Sequence, residues 1–171
     1  MLYSQHKTGY NWNMHNTDET GYEKRARAGL VPYTRNGAGE LEYLVMISSD
    51  PKYGGPRPMI SKGKIEEGEG VWDAAKREAA EELGLKAENI KLDTCKDLAD
   101  ERVALYSGAY QLTLFACEIN DRYDFDKWGD ETEYTQWMTL AEFKQHGRKD
   151  HVKFIERLQQ MVEQNEQNFN S

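Results

Sequence analysis

One stretch constrains this chain more than any other: residues 63–85, GKIEEGEGVWDAAKREAAEELGL. It reads as a glycine-rich loop running into a helix. Glu78, Glu81 and Glu82 stand at i, i+3 and i+4, which places them within an arc of roughly 100° on one helix face. Like charges at that spacing repel, the more so where water is scarce. The neighbouring stripe, Val71, Trp72, Ala75, Ala79 and Leu83, is apolar, so Glu78 and Glu82 border a buried seam. Crowded carboxylates beside a core require a reason, and a divalent cation supplies one. Mg²⁺ prefers oxygen ligands in octahedral geometry and keeps water and phosphate in its shell.

The rest of the stretch fits that reading. Gly63, Gly68 and Gly70 let the loop fold back close to a ligand. Arg77 projects from the flank nearer Glu81 and is placed to reach Glu69 through a charge-assisted bond. Gly84 stands where a helix end wants a left-handed residue, and Leu85 returns to the core.

These residues resemble the Nudix box: glycine, five residues, glutamate, seven residues, Arg-Glu, an apolar residue, any residue, Glu-Glu, any residue, glycine, an apolar residue. Here the positions are Gly63, Glu69, Arg77, Glu78, Ala79, Glu81, Glu82, Gly84 and Leu85. Seven fixed identities at roughly one in fifteen each give a chance match of about 10⁻⁸ per starting point. An acidic, salt-bridged surface helix, the ordinary meaning of a charge run, explains neither the glycines nor the arginine.

The resemblance implies hydrolysis of a diphosphate bond in a nucleoside diphosphate linked to another moiety. It implies Mg²⁺ as cofactor, with Mn²⁺ as a substitute. Position by position, it makes Glu82 and Glu78 the principal metal ligands and Glu81 a further one, with the main-chain carbonyl of Lys62. Glu69 either ligates or holds Arg77, which then orients the loop. The general base is a box glutamate such as Glu78, or a glutamate on the loop before the late strand, where Glu131 and Glu133 stand. The lysine-glycine opening, Lys62-Gly63-Lys64, resembles the dinucleoside polyphosphate and mRNA-cap branches, which usually carry proline where this chain has Ser61. The proline of many ADP-ribose hydrolases is replaced by Asp100. The tyrosine of dinucleoside polyphosphate hydrolases is not in register, Tyr106 standing several residues late; the expected substrate is of the dinucleoside polyphosphate or nucleotide-sugar type. An RNA 5′-end pyrophosphohydrolase and a non-hydrolysing nucleotide sensor are the competing readings.

Along the 171 residues, residues 1–24 are polar but rich in aromatics and read as an arm docked on its own domain or on a second copy, a homodimer. Residues 25–165 form the domain, and 166–171 read as a frayed tail. Strands are expected over 25–35 and 40–49, joined at Asn36-Gly37-Ala38-Gly39. Further strands are expected within 90–100, within 102–119 and over 134–138. Thr139 to Glu142 is a capping box, and an amphipathic helix follows from Asp150. The turn-rich loop 50–61 carries Tyr53 and Arg57, which with Lys62 are candidate substrate contacts. The pattern is α+β: a mixed, partly open sheet between helices, the αβα sandwich that the resemblance also implies.

A net charge of −8 disfavours nonspecific nucleic-acid or acidic-membrane surfaces. No apolar run is long enough to span a bilayer, and no signal peptide is visible at the N-terminus. Cys95 and Cys117 have no metal or redox spacing and read as reduced core thiols of a cytoplasmic protein. The histidines show no zinc-like spacing.

Overall fold

The computed structural model describes residues 25–50, 52, 56–105, 108–120 and 130–170. The arm at 1–24 and Tyr53 lie outside the described residues. β1 (Arg25–Arg35) and β2 (Leu41–Ser48) flank the predicted turn. There Asn36 Oδ1 accepts the Ala38 and Glu40 N–H groups, and Gly39 takes a φ of 83°, a region that glycine enters without a Cβ penalty. β3 (Lys62–Lys64) leads into α1 (Val71–Leu83). β4 (Lys96–Leu105) and β5 (Gly108–Glu118) form a hairpin. β6 (Thr132–Met138), α2 (Leu140–His146) and α3 (Val152–Asn170) complete the order.

The strands lie in the order β4-β5-β1-β2-β6, with β3 pairing β1 off this path. β1 runs parallel to β5 and antiparallel to β2 and β3, so the sheet is mixed. β1 is shared along its length: its far end, Tyr33 to Arg35, pairs with β2. Its near end, Arg27 to Gly29, pairs with β3. Beyond β1, Met46 of β2 bridges Met59, shortly before β3, through two backbone hydrogen bonds.

Both faces of β1 are covered, and its alternation shows how. Ala26, Ala28 and Leu30 face one core with Trp72, Ala75, Leu83 and Phe115. Val31 and Tyr33 face the other with Leu112, Phe143, Ile155 and Leu158. A strand buried on both sides reads as a near-continuous apolar run. Helix α1 therefore covers one face and α2 with α3 the other, which is the expected αβα sandwich. The capping box forms as predicted: the Glu142 N–H donates to Thr139 Oγ1, and Thr139 N–H donates to Glu142 Oε1.

Four readings need correction. β3 falls where the sequence reads only loop; three residues carry no periodicity, and β1 recruits them. The stretch expected to hold a strand within 90–100 begins instead as short 3₁₀ turns at Ala87–Asn89 and Leu92–Thr94, and the strand starts at Lys96. Helix α3 continues through Asn170, past the predicted fray, and Arg35 of β1 is ion-paired to Glu166. Finally, Cys95 and Cys117 are bonded to each other as a disulfide, with Cα atoms 4.3 Å apart. Their residues face each other at the start of the β4–β5 hairpin, where Lys96 pairs with Ala116. The reduced-thiol argument for a reducing compartment is thereby lost.

Candidate active site

Helix α1 ends as its sequence demands. Gly84 takes φ 71°, and the Gly84 and Leu85 N–H groups donate to the Ala80 and Ala79 carbonyls, satisfying acceptors the helix leaves open. Trp72 packs edge-on against Phe115 with ring centroids 5.0 Å apart. That contact fixes the rotation of α1 over the sheet and turns Glu78 and Glu82 inward, where they are only 8% and 7% exposed. Glu81 stays on the outer side.

Arg77 ties the loop to the helix. Its Nε donates to Glu69 Oε2 at 2.8 Å, and Nη2 to Glu69 Oε1 at 3.0 Å. Nη2 also reaches the Lys64 carbonyl at 2.9 Å. Nη1 donates to Glu78 Oε1 at 3.0 Å and lies 3.4 Å from Glu81 Oε2. A forked, planar donor serves this role where a lysine would not. Glu69 in turn accepts the Glu66 N–H at 3.1 Å. Burial would raise the Glu69 carboxyl, but the bonds from Arg77 and the Glu66 backbone hold it below its usual range.

The two inward carboxyls differ. Burial pushes Glu82 up to about 8, and the like charges of Glu78 and Glu131 act in the same direction. The Ser61 hydroxyl, fully buried, donates to Glu82 Oε1 at 3.0 Å and opposes the rise. Burial also raises Glu78, with Arg77 opposing and Glu81 and Glu131 adding to it. Glu131 is thus close enough to act on both carboxyls. Thr132, next to it, donates from Oγ1 to the Glu82 carbonyl at 2.8 Å, anchoring the start of β6 to α1. Glu133 is exposed further along β6.

Gly63 packs directly on α1. A Cβ there would stand 2.1–2.4 Å from the Glu78 carboxyl, so the end of that side chain would have to move. Gly29 plays a matching part from β1, since its Cβ would strike the Ser61 carbonyl and Lys62 Cβ. Sequence reasoning missed both Gly29 and Ser61. The signal for Ser61 was present: a serine replaced a proline immediately before Lys62.

Lys62 sends its side chain across the sheet, away from α1, with Nζ 5.2 Å from the Tyr110 ring centroid. Burial and the cations Arg27 and Arg148 push it down to about 8. Arg57 is exposed on the loop, and among the described residues no contact joins it to the carboxylates.

Among the described residues no three acidic, histidine or cysteine side chains already converge into a metal cage. The donor set nevertheless fits a hard cation. Two buried carboxyls one helical turn apart have their acidity suppressed by burial, and that of Glu82 also by Glu78, and a bound divalent charge reverses such a shift.

Comparison with known proteins agrees with this geometry. The NUDIX domain family model matches residues 23–158. No curated protein matches. Among solved structures, an Ap4A hydrolase from C. elegans in a binary complex is 22% identical, with a TM-score of 0.67 over 81% of this chain and 97% of that one. The Nudix hydrolase RenU from M. smegmatis is 17% identical, with a TM-score of 0.67 over 85% and 94%. The NUDIX domain of Shewanella oneidensis NrtR, complexed with ADP ribose, is 15% identical, with a TM-score of 0.66 over 95% and 99%. At these identities the structures show a shared fold. The family match spans most of the chain and includes the whole box, so this chain belongs to the Nudix family.

Proposed function

We propose that the chain is a Mg²⁺-dependent hydrolase of a nucleoside diphosphate linked to another moiety, of the dinucleoside polyphosphate or nucleotide-sugar kind. The observation that carries this reading is the pair Glu78 and Glu82, buried one turn apart against Gly63 and Ser61 with Glu131 beside them. Similar folds that include an Ap4A hydrolase and an ADP-ribose complex support a nucleotide as substrate.

Glu78 and Glu82 would hold the metal, with Glu81 as an outer ligand and the Lys62 carbonyl as a neutral one. When bound, a divalent cation neutralises phosphate charge and lowers the pKa of a coordinated water. The chain's own residues do the rest. Arg77 keeps the box loop closed through Glu69 and the Lys64 carbonyl. Glu131, whose charge acts on both carboxyls, would take the proton from the attacking water. The water oxygen forms the new bond to phosphorus, the bridging phosphorus–oxygen bond breaks, and its electron pair leaves with the departing phosphate. Such a displacement needs positioning and charge more than a protein nucleophile.

Glu82→Gln is expected to lower turnover at least a hundredfold with circular dichroism and melting unchanged or improved. An unchanged rate, measured across a panel of diphosphate-linked nucleotides with and without Mg²⁺, would remove the metal assignment.

A further inference from the structure

The segment 58–62 carries two groups of the carboxylate site: the Ser61 hydroxyl, on Glu82 Oε1 at 3.0 Å, and the Lys62 carbonyl. It crosses from β2 to β1. At one end Met59 uses both main-chain groups on Met46 of β2, its N–H donating at 2.8 Å and its carbonyl accepting at 2.9 Å. At the other end Lys62 stands opposite Gly29 of β1. Main-chain groups alternate in direction along an extended chain, so the Pro58 carbonyl and the Ile60 N–H point away from β2. Ile60 is buried, and a buried N–H requires an acceptor.

Both groups are met from the short 3₁₀ turn before α3, Lys149–His151, and from Arg148 at its start. The Arg148 N–H donates to the Pro58 carbonyl at 2.9 Å. The Ile60 N–H donates to His151 Nδ1 at 3.1 Å. The turn thus stands in for a neighbouring strand, with an imidazole in place of a carbonyl. His151 is only 2% exposed. Its own N–H donates to the Arg148 carbonyl at 3.1 Å, and its ring centroid lies 6.3 Å from that of Phe154, so the acceptor is held from both sides.

The chemistry of that acceptor is restrictive. Nδ1 accepts with its lone pair, so the ring is neutral and its proton is on Nε2. A carboxylate would carry a charge into a buried position, and an aliphatic chain would leave the Ile60 N–H unmet. Asparagine alone among the short side chains places a neutral oxygen where Nδ1 stands. Ile60 precedes Ser61, and Ser61 precedes Lys62, so the peptide fixed by His151 leads directly into the two site groups. We propose that His151, with the Arg148 N–H beside it, is a positioning residue of the metal site: through segment 58–60 it keeps the Ser61 hydroxyl on Glu82 and sets the Lys62 carbonyl. This rests on the hydrolase reading, which makes Glu82 and that carbonyl metal ligands.

Mn²⁺ binding to the full chain, followed by electron paramagnetic resonance, tests this without turnover. Losing a partner that orients a metal ligand weakens binding about 10–100-fold. His151→Leu is expected to weaken Mn²⁺ at least tenfold, and His151→Asn to stay within threefold of wild type. Phe154→Leu, a packing loss against the same ring, is expected to lower stability and leave Mn²⁺ affinity within twofold. Arg148→Pro gives a second reading if His151→Leu does not fold. Arg148 already has φ −61°, and Gly147 before it is extended at φ −77° and ψ 171°, so proline fits there and removes the N–H. Compared with Arg148→Ala, it should bind Mn²⁺ at least threefold more weakly. Unchanged affinity in folded His151→Leu overturns the proposal and leaves the hydrolase reading standing. So does a loss in His151→Asn or Phe154→Leu equal to that in His151→Leu, or equal affinity in Arg148→Pro and Arg148→Ala. A wild type that holds Mn²⁺ no better than Glu82→Gln faults the metal reading itself, and the role of His151 falls with it.

Discussion

The raised Glu82 carboxyl makes a signed prediction about the metal-free protein. Glu82 moves from an ordinary 4.5 to about 8 on folding, chiefly through burial. Between those values the folded chain holds a proton that the unfolded chain has released. Stability is therefore greatest below the unfolded value and falls as pH rises toward the folded one, by about 1.4 kcal/mol per pH unit at the steepest. Two other groups bound the useful window. Burial holds His151 down at about 3 from 6.5, so its contribution is complete above 6.5 and is lost only as pH falls. Lys62, lowered to about 8 from 10.5, adds stability only as pH rises above 8. From pH 6.5 to 7.5 the slope belongs chiefly to Glu82.

The expected loss over that interval is about 1 kcal/mol, or about 2–4 °C in melting temperature for a chain of this size. Urea unfolding in EDTA, followed by tryptophan fluorescence at closely spaced pH values, measures it. Mg²⁺ in excess should flatten the slope, because it binds the ionised carboxyls. Glu82→Gln should remove most of it without metal. An equal slope in Glu82→Gln, or stability that rises across the window, would show that Glu82 is not held protonated by burial.

Two further expectations follow from packing and covalent structure. Gly63→Ala puts a methyl on the Glu78 carboxyl and should cost about 1–3 kcal/mol together with at least a tenfold loss of turnover; Gly37→Ala, into open space, is the control, and equal effects in the two would refute the packing argument. The Cys95–Cys117 bond closes a separation of 22 residues, so Cys95→Ser should lower stability by about 3 kcal/mol, and alkylation of the unfolded chain without reductant should label neither thiol if the pair is joined.

What the sequence revealed, it revealed through spacing. The carboxylate arc, the glycine at the helix end and the capping box are local patterns, and local patterns survive into the fold because a helix maps sequence distance onto one surface. Arg77 and Glu69 were legible for the same reason, since both belong to one loop and the helix it enters. β3 was not legible. Three residues cannot show a period, and their strand identity comes from β1, more than thirty residues upstream. The disulfide was hidden for a related reason: its spacing means little until the β4–β5 register sets Cys95 opposite Cys117.

The same limit explains why the chemistry divides between what was read and what was not. Ser61 and Lys62 are adjacent, and alternation along an extended backbone sends their side chains to opposite faces. Ser61 turns to Glu82 at 3.0 Å, while Lys62 turns to Tyr110 and Arg27. Both outcomes require Gly29, because a side chain there would push the Ser61 carbonyl and Lys62 off the sheet. A strand of minimal length thus couples the carboxylate cluster of α1 to the cations of the opposite face. Glu82 and Lys62 feel each other's charge across it, so a change that shifts β3 should disturb both groups together. Gly29→Ala is the variant in which that coupling is expected to fail on both sides at once.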